Sequence, residues 1–225
     1  MKNSILSALD KKAEKDSKLA VSGLSELFGM SDNVVVKEIP VNKLQENANL
    51  PFKVTDDTEM QKLVESIEAD GQMEPIIVRP LNNDYYEILA GHRRTKAHRI
   101  LGKITIKAII GNFDDEKANR ILINSNFNQR SVIYPSEIAK SYRLRYEDLK
   151  RLRKNSDHRN FDSNKKIDEI MAEEFHMSKS SIYMYLHFNY LIDELLDLLD
   201  EKKIKQKIAD ELSYLRTEEQ KIVRS

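Results

Sequence analysis

Every strand-like segment of this 225-residue chain lies before Asp114, and what reads as regular structure after it reads as helix. Val34 to Val41 is short and β-branched, and Glu74 to Leu81 (EPIIVRPL) and Tyr85 to Ala90 are two strands joined at an Asn82-Asn83-Asp84 turn. Ile104 to Ile110 is a fourth strand. Asp56 followed by Glu59 forms a capping pair, and Leu63, Val64 and Ile67 recur at helical spacing until Gly71 ends the helix. A second helix runs from about His92 to Leu101 and stops at Gly102. Beyond Asp114, Pro135 and Glu137 open a long helix to about Arg153, because proline suits a first turn and an acid suits that end of the dipole. A polar, basic break covers Asn155 to Lys166, and Ile167 to Phe188 and Leu191 to Leu199 are further helices. This division predicts an α+β chain with a mixed-sheet domain over 34–123 and an all-α domain over 124–225. Residues 1–33 form a flexible arm, punctuated by Gly23, Gly29, Ser31, Asp32 and Asn33.

Charge is divided as unevenly as structure. Lys+Arg and Asp+Glu number 37 each, so the net charge is zero and a uniformly basic nucleic-acid coat is excluded. Yet Ala90 to Lys107 holds six bases and no acid, Arg143 to Lys166 nine bases against four acids, and Phe188 to Glu201 five acids and no base. A solvated face accounts for any one such run. There is no cysteine, which excludes disulfides, thiolate chemistry and cysteine zinc sites. No apolar run approaches the roughly 18 residues a spanning helix needs, and the lysine-rich start lacks the apolar centre of a signal peptide, so a cytoplasmic protein is expected.

The sharpest local conflict is at Gly91-His92-Arg93-Arg94, where a strand passes through glycine into a helix whose first turn carries two arginines. Cations at the positive end of a helix dipole are unfavourable by roughly 0.3–1 kcal/mol each. A bound anion reverses that sign, glycine lets it reach the backbone, and guanidinium matches phosphate in a bidentate fork. Pairing of the arginines with nearby carboxylates is the other reading the spacing leaves open. Asn124 to Arg130 (NSNFNQR) is a second polar cluster, whose amides suit either helix capping before Pro135 or contact with phosphate, metal or a base edge.

Ile167 to His187 has the layout of a helix-turn-helix. Ile170, Met171 and Phe175 make one apolar side with small Ala172 among them, His176-Met177 forms the turn, and Ser178 caps the second helix. Ile182 and Leu186 face inward, leaving Lys179, Ser180, Ser181, Tyr183, Met184 and His187 outside, short and polar near the N-terminus as groove-reading helices are. An αα-hairpin in a bundle fits the same pattern. The turn lacks the glycine often found there, with His176 near its place. His176 and His187 have no partners at metal-ligand spacing.

Taken in order, GQMEPIIVRP (71–80), YEILAGHRRTKA (86–97), NSNFNQR with YPSEIAKSY (124–142) and the bihelical unit at 167–188 resemble the ParB-type partition proteins over roughly residues 34–215. The resemblance implies a ParB/sulfiredoxin-like nucleotide-binding domain, a helical DNA-binding domain, CTP with Mg²⁺ as ligands, and closure as a clamp around DNA after loading at a centromere-like site. By motif, Gly71, Gln72, Pro75, Ile76 and Arg79 would wall the base and ribose. Gly91, His92, Arg93 and Arg94 would hold the triphosphate, with Asn126 and Arg130 near phosphates and metal, Asn126 being the metal-side residue. Lys179, Ser180, Ser181, Tyr183, Met184 and His187 would face double-stranded DNA. Residues 1–20, with Lys11, Lys12, Lys15 and Lys18, resemble arms that stimulate a ParA-type ATPase. A homodimer is implied too.

Two departures stand against the pattern. His92 replaces the glutamate often found before the two arginines, and the third motif offers Asn124, Ser125 and Asn126 where an acid often precedes the asparagine. An amide supplies no charge to Mg²⁺, so nucleotide binding is expected ahead of hydrolysis, with at most a weak CTPase activity and no assigned catalytic residue. A transcriptional or nucleoid-occlusion regulator is the alternative. A nuclease fits less well, because no acid or His–acid set accompanies the run around Arg93, and a sulfiredoxin-like phosphotransferase would lack its cysteine.

Overall fold

The computed structural model describes residues 36–129, 132–154 and 165–224, which form two compact units. The first comprises 36–50 and 54–122, the second 51–53 and 123–224.

The first unit is built on five strands: β1 (Val36–Pro40), β2 (Leu44–Gln45), β3 (Ile76–Pro80), β4 (Tyr86–Ala90) and β5 (Thr105–Ile110). Their order is β1-β5-β3-β4-β2, with β1/β5 and β3/β4 antiparallel and β3/β5 and β2/β4 parallel. Successive side chains of a strand face opposite ways. On β3, Ile76 and Val78 therefore join Ile39, Val41, Leu44, Ile88, Ile106 and Ala108 in one cluster, while Ile77 joins Leu89, Ala90, Ala118 and Ile121 in another. Being buried on both sides explains why β3 reads as a continuous apolar run. Each such isoleucine contributes roughly 1.5–3 kcal/mol relative to exposure.

Helices α1 (Thr58–Asp70) and α2 (His92–Ile100) pack through Met60, Ile67 and Ala97. The capping assignment needs one correction: Asp57, not Asp56, caps α1, its side chain accepting from the Met60 N–H at 2.8 Å. Asp56 instead pairs with Lys96 at 2.7 Å. The Asn82–Asp84 turn is a short 3₁₀ segment, with Asn83 and Asp84 at φ 62° and 60°. Asparagine and aspartate tolerate that conformation better than most residues.

A second correction concerns Asp115–Gln129. It is a helix, α3, where the sequence showed only a polar cluster ahead of Pro135. The remaining helices are α4 (Pro135–Lys154), α5 (Ile167–Glu174), α6 (Lys179–Phe188), α7 (Asp193–Asp200), α8 (Gln206–Leu212) and α9 (Thr217–Arg224). Their core gathers Tyr142, Leu149, Met171, Ile182, Tyr185, Phe188, Leu195, Leu199 and Ala209. Rings thread through it: Phe52 meets Phe127 edge-on at 6.1 Å, and Tyr142 lies 4.3 Å from Phe175 and 5.5 Å from Tyr185. Burial pushes the Tyr142 hydroxyl well above the usual tyrosine range, and it donates to Met177 Sδ at 3.0 Å. At the start of α4, Glu137 is buried and its two oxygens accept the N–H groups of Lys53 (2.7 Å) and Tyr134 (3.1 Å). The acid expected there thus satisfies backbone donors as well as the dipole.

Candidate functional site

Gly91 sits where β4 turns into α2, at φ 95°, and no side chain caps the helix it opens. A Cβ at this position would lie 2.5 Å from Ile76 Cγ2, so both the backbone angle and the packing demand glycine. Ile76 itself is fully buried in the sheet core, where its contribution is packing against Gly91.

The two arginines differ in their surroundings. Arg93 places Nη2 2.8 Å and Nη1 3.2 Å from the two oxygens of Asp57. Together with Thr55 and the Met60 N–H, Arg93 holds the Asp57 carboxyl far below the usual carboxylate range. Arg94 is more deeply placed. Its Nη1 donates to the carbonyls of Glu74 (2.8 Å) and Pro75 (2.7 Å), and Nη2 lies 3.5 Å from the Glu74 carboxylate. Burial lowers its pKa despite Glu74. Arg94 thereby ties α2 to the segment entering β3. Carboxylate pairing, left open by the spacing, holds for Arg93 in full and for Arg94 in part.

Two further bases of the run are also answered from distant sequence. Lys96 meets Asp56, and Arg99 meets Glu46 at 3.0 Å. Glu46 also lies 2.6 Å from His92 Nδ1. Burial raises the Glu46 pKa, but His92 and Arg99 together bring it below the ordinary value. The His92 ring is buried and its Nε2 has no hydrogen-bond partner.

The expected base-side residues are positioned as follows. Gly71 ends α1 at φ 75°. Gln72 is buried and fully engaged, its Nε2 donating to the carbonyls of Glu74 and Lys107 (both 2.9 Å) and its Oε1 accepting the Lys107 N–H at 2.8 Å. Pro75 is buried. Arg79 bonds Glu87 at 2.5 Å and Asp115 at 2.8 Å; burial acts against its charge, yet these acids raise its pKa. Gly71, Gln72, Pro75, Ile76, Arg79, Gly91, His92, Arg93 and Arg94 all belong to the first unit. Asn126 is half-buried on α3 within the second, and Arg130 lies outside the described residues.

In the helical unit, α5 and α6 meet through a tight turn in which His176 adopts φ 52°, the left-handed conformation usual for glycine. Ser178 caps α6, accepting the Ser181 N–H at 3.1 Å. Lys179, Ser180 and Tyr183 are exposed and Ser181 and His187 half-exposed. One side chain departs from the expected division: Met184 is half-buried and packs on the core. Leu186, also half-buried, packs on that core as expected, and Ile182, Tyr185 and Phe188 complete the buried face. His187 is engaged too: its Nδ1 is 2.8 Å from Asp210 and 2.9 Å from the Tyr214 hydroxyl. Tyr214, exposed after α8, was not evident from sequence because nothing local links it to α6. Among the described residues no cluster of His, Asp or Glu is arranged to hold a metal, and no helix is long and apolar enough to cross a membrane.

Residues 26–127 match the family model of the ParB N-terminal domain. The nucleoid occlusion protein of Listeria monocytogenes serotype 4a is 32% identical over 212 residues, covering 88% of this chain and 68% of that protein. The chain belongs to the ParB family. Among solved structures, a Pnob8-like ParB-N domain covers 85% of this chain and 83% of its own at a TM-score of 0.55 and 18% identity, which establishes the fold. A C-terminally truncated ParB from Caulobacter crescentus, complexed with CTP-γ-S, is 25% identical and covers 80% of this chain and 93% of its own, at a TM-score of 0.40 that adds nothing to the structural comparison.

Proposed function

We propose that this chain is a DNA-binding partition protein of ParB type, cytoplasmic and homodimeric, that binds a centromere-like site and closes around DNA as a CTP-dependent clamp. The observation that carries the DNA reading is α6, whose Lys179, Ser180 and Tyr183 stand exposed beyond a left-handed His176 turn while Ile182, Tyr185 and Phe188 are buried behind them. Short polar groups at the start of such a helix reach base edges in the major groove. Cations on α4, among them Arg143, Lys150 and Lys154, supply the salt-dependent phosphate contacts.

The nucleotide is assigned to the turn at Gly91. The fit rests on the uncapped start of α2, the close backbone approach that glycine allows, and Arg93 in the first turn. A triphosphate there would take Arg93 from Asp57 or share it, so its affinity is set by that exchange. Arg94 acts on the same site by holding the Glu74–Pro75 backbone. Mg²⁺ fits these residues poorly. Asn126 offers a neutral amide, and the described residues bring no acidic cluster to it, so the nucleotide's own oxygens would have to hold the ion. Titration calorimetry with CTP, CDP, ATP and GTP tests this assignment. Heat with CTP and its loss in Arg93→Ala are expected, and absence of heat with CTP removes the nucleotide from the account.

A second reading, a nucleoid-occlusion or transcriptional regulator built from the same parts, is favoured by the name of the Listeria relative. Binding sites spread along the chromosome, with plasmid or chromosome inheritance unaffected by deletion, would select it. The ParA-type ATPase contact proposed for residues 1–20 lies outside the described residues and is tested by deleting them and measuring partner ATPase stimulation.

A further inference from the structure

Helix α5 carries Asp168, Glu169, Glu173 and Glu174 and no base. Its acids are spent on cations around it: Glu173 on Lys165 at 2.7 Å, Glu174 on Arg145 at 2.9 Å, and Glu169 on Lys179 at 2.6 Å, with Asp168 3.9 Å from the same ammonium. Lys179 opens α6, where a cation opposes the helix dipole. Glu169 answers that charge from the neighbouring helix. Its carboxyl lies below the usual range because of Lys179 and the Lys166 N–H, so it remains ionised as it meets the lysine.

We infer that Glu169 is a specificity-determining residue: it holds Lys179 against α5 and so suppresses binding to DNA of the wrong sequence. The inference rests on the DNA-binding reading above. To touch a phosphate, Lys179 must give up Glu169, and the carboxylate left behind repels the same phosphate. On random DNA the exchange trades one anion for another with little gain. At a matching site the lysine gains base-edge acceptors and neighbouring α6 contacts as well. An acid that penalises the wrong partner more than the right one raises the ratio between them, even while lowering both affinities.

Glu169→Gln isolates the charge. Glu169 also accepts the Lys166 N–H at 3.0 Å, and glutamine serves that position of a capping box equally well, so the start of α5 is retained. Fluorescence anisotropy would follow two duplexes of equal length across a salt series: a random sequence, and one selected by the full chain from a random pool. In Glu169→Gln, random DNA is expected to bind about two- to five-fold tighter at low salt. The slope of log K against log salt should steepen by up to about 0.9, the contribution of one cation, less the share that Asp168, 3.9 Å from the same ammonium, still holds. The selected duplex should gain less, so the ratio falls. In a Lys179→Ala background most of the gain should vanish. Unchanged or weaker random binding overturns the inference, as does a gain that survives Lys179→Ala intact. If the unmodified chain binds neither duplex at low salt, the DNA-binding reading itself fails and this inference falls with it.

Discussion

Arg93 grips Asp57 through both terminal nitrogens while Asp57 caps α1, so one carboxylate serves the start of α1 and the charge at the start of α2. Its pKa in the folded chain is depressed below the roughly 3.9 of an unfolded aspartate. The stability it contributes is therefore complete above about pH 4 and is lost as pH falls through the acid range. The pair is partly exposed, so the loss should not exceed about 1 kcal/mol. Urea midpoints of the native chain should drop more between pH 5 and pH 3 than those of Asp57→Asn, which keeps a good cap but not the charge. Equal pH dependence in both would remove Asp57 as the group responsible.

Gly91→Ala should destabilise the first unit, because its Cβ falls 2.5 Å from Ile76 Cγ2 at a φ that alanine resists. Overpacking of this kind costs about 1–3 kcal/mol. Denaturant unfolding of Gly91→Ala, Ile76→Ala and the double variant should show a loss in the double variant smaller than the sum of the two singles, since Ile76→Ala removes the Cγ2 that the new Cβ meets. Purely additive effects would mean the clash is not the cause.

Much of the sheet was legible because β3, β4 and β5 are apolar runs bounded by turn residues. Helix α3 was not. Ala118, Ile121, Leu122 and Ile123 are all buried, on adjoining sides of the helix, so no single apolar stripe marks it. The start of α2 announced its own charge conflict, yet its resolution was hidden. Asp57 lies 36 residues from Arg93, and Glu46 lies 53 from Arg99, distances that only the fold closes. On α6 the inward positions Ile182 and Leu186, four residues apart, follow helical spacing, whereas Met184 was assigned outward because its partners lie elsewhere in the sequence.

His176 stands in a left-handed turn without being glycine. A β-branched residue resists that region far more than histidine or glycine does. His176→Val should therefore be less stable than His176→Gly by at least about 1 kcal/mol in thermal or urea unfolding. Equal stabilities would indicate that the turn relaxes to another conformation.

Tyr183 is exposed on the outer face of α6 beside His187. Tyr183→Ala should weaken binding to a selected duplex by about 1–3 kcal/mol while leaving random DNA and its salt slope nearly unchanged. Lys150→Ala, by contrast, should reduce the slope by about 0.9 on both duplexes. Equal losses on the two duplexes in Tyr183→Ala would place that residue outside base reading.

The clamp is tested most directly by retention on circular DNA. A closed circle carrying the selected duplex, loaded with the full chain and CTP, should keep its protein through a high-salt wash and release it when the circle is cut. If the wash strips protein equally from circle and cut DNA, or if CTP makes no difference, the chain reads DNA without enclosing it.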